Sequence, residues 1–143
     1  MKLVDVNMLV YAHRQDTAHH EVCHRFIDEL VNGDQSFGMA ELVLSGFLRL
    51  VTHPRIFNPP TPLAQALAFI QAIRKRRNHV VVAPGARHFS IFLRLVEASK
   101  ARGNLIPDAY LAALAIESGC EWITTDMDYA RFEGLKWHNP LGP

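Results

Sequence analysis

The segment Lys2-Leu3-Val4-Asp5-Val6-Asn7-Met8-Leu9-Val10 places one carboxylate inside an apolar run at the start of the chain. Its first part is short and rich in β-branched residues, which predicts a buried strand over Lys2–Val6. A carboxylate beside a buried strand is unfavourable unless it has a partner, so Asp5 is the first candidate functional residue. Asp5 also interrupts the apolar run before a secretory signal sequence is complete, and we therefore expect no signal peptide.

Short apolar segments alternate with helical patterns along the rest of the chain. Further strands are predicted at 80–82, 122–124 and 136–138, and helices at about 20–32, 39–51, 61–73, 89–100 and 107–116. The core-facing helix positions are predicted to be Val22, Phe26, Leu30, Leu63, Leu67, Ile70, Phe89, Phe92, Leu93 and Val96. Strands that alternate with helices predict an α/β sandwich around a short, mostly parallel sheet. We expect one domain over residues 1–143.

The composition excludes several classes of protein. With 49% hydrophobic and 20% charged residues it is typical of an ordinary globular chain, and the longest apolar runs are too short to cross a bilayer. Two cysteines, Cys23 and Cys120, do not form a disulfide framework and favour a reduced, cytoplasmic setting. The net charge of +1 predicts nothing about nucleic acid. The basic cluster at 74–77 fits a solvated helix C-terminus, with phosphate contact as the alternative.

Three further acids, Glu41, Asp108 and Asp126, also stand at the edges of apolar segments. In parallel sheets, binding sites form beyond the carboxyl ends of the strands. Asp5 lies at the end of the first predicted strand, Asp126 lies at the end of a later one and Asp108 lies in the first turn of a helix, so these three can face one crevice. Taken singly, each has an ordinary explanation: Glu41 and Asp108 as complements of a helix dipole, and Asp126 as a turn residue.

Carboxylates that converge raise one another's pKa values and repel unless a cation lies between them. Ligand sets made only of oxygen favour Mg²⁺ or Mn²⁺ over zinc. Such an ion lowers the pKa of its bound water and so supplies a nucleophile for attack on phosphorus. Asn7 and Thr124 stand two residues from Asp5 and Asp126 and are expected to orient ligands or water. The pattern therefore predicts a metal-dependent phosphodiesterase.

Four stretches together resemble one known family. They are Asp5-Val6-Asn7-Met8-Leu9, Glu41 at a helix start, Asn104-Leu105-Ile106-Pro107-Asp108-Ala109, and Thr124-Thr125-Asp126-Met127-Asp128-Tyr129-Ala130-Arg131-Phe132. In order and spacing they are similar to a PIN domain, and more narrowly to the VapC toxins of bacterial type II toxin–antitoxin pairs. The resemblance covers nearly the whole chain.

The resemblance implies a Mg²⁺-dependent endoribonuclease, with Mn²⁺ as a possible substitute, that cleaves cellular RNA such as tRNA or rRNA. It also implies inhibition by a cognate VapB antitoxin and a homodimer. The acidic quartet of the family matches Asp5, Glu41, Asp108 and Asp126, as metal ligands and catalytic residues, while Asp128 matches a less regular fifth acid. Arg14 and Arg87 are our candidates for holding the RNA backbone.

Two alternatives belong to other classes. His20-Glu21-Val22-Cys23-His24 spells the H-E-x-x-H signature of zinc peptidases. Against it, the extended signature does not continue, and the predicted core stripe places Glu21 on the solvent side of its helix. The second alternative is a non-catalytic binding module whose acids serve only to dock a partner. A Mg²⁺ titration separates that module from an enzyme.

Overall fold

The computed structural model describes residues 1–142 and confirms the α/β architecture. Its strands are β1 (Lys2–Val4), β2 (Phe37–Met39), β3 (His79–Val81), β4 (Glu121–Ile123) and β5 (Trp137–His138). Its helices are α1 (Val6–His13), α2 (His20–Asn32), α3 (Glu41–Val51), α4 (Leu63–Arg74), α5 (His88–Ser99) and α6 (Leu105–Ser118). A short 3₁₀ turn at Met127–Arg131 follows β4. Over residues 1–142, no helix is long and apolar enough to cross a membrane.

The five strands form one sheet in the order β3-β2-β1-β4-β5, and every neighbouring pair is parallel. The chain first adds strands on one side of β1 and later adds β4 and β5 on the other side. Helices α1 to α4 pack against one another, and α5 packs against α6. Right-handed crossovers place these two groups on opposite faces of the sheet. The strand order reverses at β1 and β4, so their carboxyl ends border the crevice where such folds bind ligands.

Strand β2 was not predicted, although a glycine marks it. A Cβ atom added to Gly38 would lie 2.7 Å from Val82 Cγ2 and 3.2 Å from Leu3 Cδ1. Only glycine lets β2 pack this closely against β1 and the segment that follows β3. A strand of three residues is too short to display a period of two, and Met39 was instead assigned to the helix that in fact begins at Glu41.

The prediction of a strand over Lys2–Val6 is wrong at its end. Strand β1 stops at Val4, and Asp5 is the N-cap of α1. The pattern did not predict α1 because Met8, Leu9, Val10 and Ala12 are all buried. A helix buried around most of its circumference lacks the polar face that identifies a helix in a sequence.

The predicted core faces of α2, α4 and α5 are correct in part. Six predicted positions pack in or against the core: Phe26, Leu30, Leu67, Ile70, Phe92 and Val96. The other four are exposed: Val22, Leu63, Phe89 and Leu93. On α2 the buried residues are Cys23 and Ile27, and Val22 is 42% exposed. On α4 they are Ala66, Ile70 and Ile73, while Leu63 is exposed; on α5 they are His88 and Leu95, while Phe89 and Leu93 are exposed. Val80 and Val81 lie in a strand as predicted, but they are exposed because β3 is a sheet edge. The core thiols Cys23 and Cys120 are buried as predicted.

Candidate active site

Asp5 is a buried carboxylate at the point where the strand order reverses. Its side chain is held from two sides: the backbone N–H of Val6 donates to Oδ1 at 2.7 Å, and Thr124 Oγ1 donates to Oδ2 at 2.6 Å. Its own N–H donates to Ile123 O on β4 at 2.9 Å. Asp5 is only 3% exposed. The N-cap of α1 and the end of β4 therefore fix the position and orientation of this carboxylate.

The electrostatic setting of Asp5 disfavours its charge. Burial raises the pKa of Asp5 from 3.8 to about 6, against the opposing effect of its two hydrogen bonds. The negative charges of Asp108 and Asp126 raise this pKa further. Three of the four predicted acids are therefore close enough to influence one another electrostatically. A perturbed carboxylate in a crevice of the sheet is a candidate functional group.

Asp108 and Asp126 are the two acids whose charges act on Asp5. Desolvation raises the pKa of Asp108, and the charges of Asp126 and Asp128 add to the increase. Asp126 is the N-cap of the 3₁₀ turn, where its Oδ1 accepts the N–H of Asp128 at 2.9 Å. Its own N–H donates to Thr124 Oγ1 at 3.0 Å. The Thr124 hydroxyl thus connects Asp126 to Asp5.

Tyr129 is a site residue that sequence reasoning missed. Its hydroxyl donates to Asp108 Oδ1 at 3.4 Å, and its ring is buried 5.4 Å from that of Trp122. Burial raises the pKa of Tyr129 far above its ordinary value, and the charges of Asp5, Asp108 and Asp126 raise it further. The phenol therefore stays protonated as a donor among three carboxylates. The signal was its position within Asp126-Met127-Asp128-Tyr129, directly after a predicted strand.

Within residues 1–142, the remaining predicted site residues do not hydrogen-bond to the Asp5 side chain, whose partners are Val6 and Thr124. Glu41 is the first residue of α3, two residues beyond the end of β2, and it is exposed. Asp128 is exposed and lies 3.7 Å from Arg131 Nε. Asn7 Nδ2 donates to Thr125 Oγ1 at 3.3 Å, so it ties α1 to the segment after β4. The structure therefore brings Asp5, Asp108 and Asp126 together and leaves Glu41 at the neighbouring strand end.

The donor set fits a hard divalent cation. Across residues 1–142, no three His, Cys, Asp or Glu side chains form a cluster tight enough to hold an ion by themselves. Mg²⁺ does not require such a cluster, since it commonly takes one or two carboxylates together with water and substrate phosphate oxygens. Asp5, Asp108 and Asp126 offer only oxygen ligands, and a cation between them would relieve their mutual repulsion.

Within residues 1–142, neither of the two predicted arginines has a side-chain hydrogen bond or ion pair with Asp5, Asp108 or Asp126. Arg14 pairs with Asp16 and lies over the ring of Phe57, with 4.3 Å between guanidinium carbon and ring centroid. It follows α1 at the end opposite Asp5, about 13.5 Å away along the helix axis at 1.5 Å per residue. Arg87 is exposed, and its backbone N–H donates to Glu117.

An open cavity of about 550 Å³ lies beside Asp128 and is lined by Ser99, Lys100, Arg102, Leu105, Asp128 and Arg131. We refer to Lys100, Arg102 and Arg131 as the basic rim. Asp128 connects this cavity to the site, because its charge raises the pKa of Asp108. Lys100 adopts a left-handed conformation (φ 55°) as the C-cap of α5. The three basic residues are scattered along the sequence, so no charge run revealed them.

The H-E-x-x-H stretch lies at the start of α2. His20 and His24 have stacked rings, and the adjacent Glu21 is exposed, as predicted. Both histidines donate through Nδ1 to backbone carbonyl groups of α1. The stretch is therefore part of the packing between α1 and α2.

Comparison with known proteins identifies relatives over nearly the whole chain. The model of the PIN domain matches residues 2–135. Ribonuclease VapC25 of Mycobacterium tuberculosis is 40% identical over 140 residues, covering 98% of this chain and 99% of the relative. Ribonuclease VapC43 of the same species is 40% identical over 141 residues, covering 99% of this chain and 96% of the relative.

Solved structures share the fold at lower sequence identity. VapBC2 from Rickettsia felis, bound to a DNA fragment from its promoter, superposes with a TM-score of 0.69 at 17% identity, over 96% of this chain and 97% of that one. VapC20 of Mycobacterium tuberculosis, described as a toxin that cleaves the sarcin–ricin loop, superposes with a TM-score of 0.65 at 17% identity, over 95% of this chain and 99% of that one.

Proposed function

This chain belongs to the PIN-domain family and, within it, to the VapC ribonucleases, and on that premise we propose that it is the toxin of a type II toxin–antitoxin pair. Its activity is metal-dependent endonucleolytic hydrolysis of phosphodiester bonds in RNA. The observation that carries the proposal is the buried Asp5 carboxylate, which shares the β1–β4 crevice with Asp108 and Asp126. This arrangement occurs in a chain that is 40% identical to named ribonucleases over their full length.

We propose that Asp5 and Asp108 hold the cation, with Asp126 and Glu41 completing the site and Asp128 as the candidate for a fifth acidic ligand. The ion is Mg²⁺, with Mn²⁺ as a substitute, because every donor is a carboxylate oxygen. When bound, it stabilises negative charge on the scissile phosphate and lowers the pKa of an attacking water. Each Asp5 oxygen accepts one hydrogen bond and keeps a lone pair for a ligand. Thr124 and Tyr129 position Asp5 and Asp108.

The basic rim is proposed to hold the RNA backbone next to the scissile bond. Lys100, Arg102 and Arg131 line one cavity that opens beside Asp128. Phosphate contacts of this kind position a nucleic acid without reading its sequence. Arg87 is exposed and stays a candidate for a more distant contact, whereas Arg14 would first have to leave Asp16. We propose structured cellular RNA, tRNA or rRNA, as the substrate, which requires the enzyme to act in the cytoplasm.

A VapB-type antitoxin is the proposed inhibitor, because the VapBC2 complex from Rickettsia felis shares the fold. We also propose a homodimer. Phe89 and Leu93 lie one turn apart on α5 and are 59% and 51% exposed. A second copy of the chain would cover these two apolar side chains.

The test is cleavage of purified cellular RNA by the isolated protein in Mg²⁺ and in EDTA. The wild type is expected to cut only with the metal, and Asp108→Asn is expected to lose most of the activity. Asp34→Asn makes the same chemical change on an exposed acid outside the site and is expected to retain full activity. If the wild type, folded and free of antitoxin, cuts no RNA in Mg²⁺ or Mn²⁺, the chain is a non-catalytic partner-binding module.

A further inference from the structure

The junction between α1 and α2 carries two histidines that the ribonuclease site does not use. His20 and His24 are four residues apart on α2, so their side chains lie on the same face of the helix. Their rings are stacked, with centroids 5.2 Å apart and planes inclined at 25°. His20 is half-buried and His24 is exposed. We refer to these residues as the histidine pair.

The hydrogen bonds of the histidine pair fix which ring nitrogen carries the proton. His20 Nδ1 lies 2.9 Å from Tyr11 O, and His24 Nδ1 lies 3.3 Å from Ala12 O. A carbonyl oxygen only accepts hydrogen bonds, so each Nδ1 must donate. In the neutral rings each Nε2 then carries a lone pair, and within residues 1–142 neither Nε2 has a hydrogen-bond partner.

This arrangement has the main elements of a metal site. A histidine that binds a metal through one ring nitrogen commonly donates the other N–H to a carbonyl or carboxylate, which orients the ring and increases its basicity. Two nitrogens that each lie about 2.0–2.1 Å from one ion are at most about 4 Å apart. The ring centroids are 5.2 Å apart, so binding one ion would require the rings to tilt about their Nδ1–H bonds until the two Nε2 atoms lie within that limit.

The local electrostatics favour a cation at the exposed edge of the pair. The carbonyl groups of Tyr11 and Ala12 belong to the last turn of α1, where the helix dipole is negative. Glu21 lies in the first turn of α2 and offsets the positive end of that helix.

We propose that His20 and His24 bind one late transition-metal ion, Zn²⁺ in preference to Mg²⁺, through their Nε2 atoms, with water completing the coordination. Imidazole ligands select Zn²⁺, Ni²⁺ or Cu²⁺, and Mg²⁺ prefers oxygen. The site is separate from the acidic one, which lies at the opposite end of α1. Metal on Nε2 strengthens the Nδ1–H donors, so occupancy stabilises the contact between α1 and α2.

The test is calorimetric titration of the antitoxin-free protein with Zn²⁺, carried out in the Asp5→Asn background to weaken the acidic site. Asparagine places an amide N–H close to the position of histidine Nδ1 and has no counterpart of Nε2. His20→Asn and His24→Asn therefore keep the donor to the α1 carbonyl group and remove the metal ligand. His53→Asn, at a histidine that accepts the N–H of Arg55, is the matched control.

We expect one Zn²⁺ per chain, binding weakened by more than about tenfold in each pair variant, and no change in His53→Asn. Nitrogen NMR of the histidine rings should show metal-dependent shifts at Nε2 of His20 and His24 only. Zn²⁺ affinity that is equal in all variants, or shifts at other histidines, would overturn the proposal. Zn²⁺ binding that is seen in the wild type but is lost in the Asp5→Asn background would assign the metal to the acidic site and would also overturn the proposal.

Discussion

Replacing Asp5 with asparagine should make the metal-free protein more stable at neutral pH. Asparagine has nearly the same shape, and its Oδ1 can still accept the N–H of Val6. Its amide cannot ionise, so the variant removes a buried charge from the neighbourhood of Asp108 and Asp126. A residue at the proposed catalytic centre is thus predicted to reduce the stability of the fold that carries it.

The size and sign of the effect follow from the pKa of Asp5. This pKa rises from 3.8 in the unfolded chain to about 6 in the folded one, which corresponds to about 3 kcal/mol. Because the folded state binds the proton more tightly than the unfolded chain, ionisation of Asp5 destabilises the fold. This destabilisation is absent below pH 3.8, grows as the pH rises to about 6, and is complete above that. The asparagine NH₂ group that replaces Oδ2 cannot accept the hydrogen bond of the Thr124 hydroxyl, and leaving this donor unpaired costs about 1 kcal/mol. Asp5→Asn should therefore gain about 2 kcal/mol at pH 7.5, or about 6 °C in Tm.

Urea unfolding of both proteins in EDTA, at pH 4 and pH 7.5, measures this difference, with Asp34→Asn as the control that should not change. Millimolar Mg²⁺ should then stabilise the wild type more than Asp5→Asn, since a ligand that binds only the native state adds stability. If the difference in unfolding free energy between Asp5→Asn and the wild type is the same at pH 4 and pH 7.5, the electrostatic argument is refuted. An Asp5→Asn protein that gains as much from Mg²⁺ as the wild type would refute its role as a ligand.

Three further substitutions test a residue that positions Asp5, a residue that stabilises the fold and a residue proposed to bind RNA. Thr124→Val removes the hydroxyl that connects Asp5 to the N–H of Asp126; Mg²⁺ affinity, measured by calorimetry, and RNA cleavage should fall about 10–100-fold, and unchanged values would contradict the positioning role. Asn78→Ala removes donors to the carbonyl groups of residues 30, 33 and 35. It should lose about 1–3 kcal/mol in urea unfolding while the folded protein cleaves RNA normally. Arg102→Gln should weaken RNA binding and lower the salt dependence of binding by about one charge. Arg74→Gln, outside the basic rim, is its control, and equal effects of the two would exclude a specific role for the rim.

The sequence was sufficient to predict where the acids lie because topology governs their position. Residues that follow parallel strands meet at one edge of a sheet, so Asp5 and Asp126 could be placed together from strand pattern alone. Thr124 was predicted for the same reason. Tyr129 and the basic rim could not be found this way, because their proximity to the acids depends on how α5, α6 and the 3₁₀ turn pack.

The errors in the fold have a common physical origin. Helix α1 and strand β2 are almost wholly buried and therefore display neither a polar face nor an alternating pattern. On α2 the predicted Phe26 and Leu30 do pack against the core, but the fully buried positions are Cys23 and Ile27. The centre of the buried face is therefore rotated away from Val22, which lies about 100° from Cys23 around the helix and is exposed. Such a rotation is set by the packing of α2 on α1, which the apolar residues of α2 alone do not specify.

Mapping the 5′ ends of cellular RNA after brief induction of the protein tests the central claim most directly. Wild-type protein should create new 5′ ends at a small set of positions, and these ends should be absent when Asp108→Asn is induced to the same level. Co-expression of the cognate antitoxin should suppress them as well. The same new ends with Asp108→Asn as with the wild type, or none with either folded protein, would contradict a ribonuclease whose cation is held by these acids.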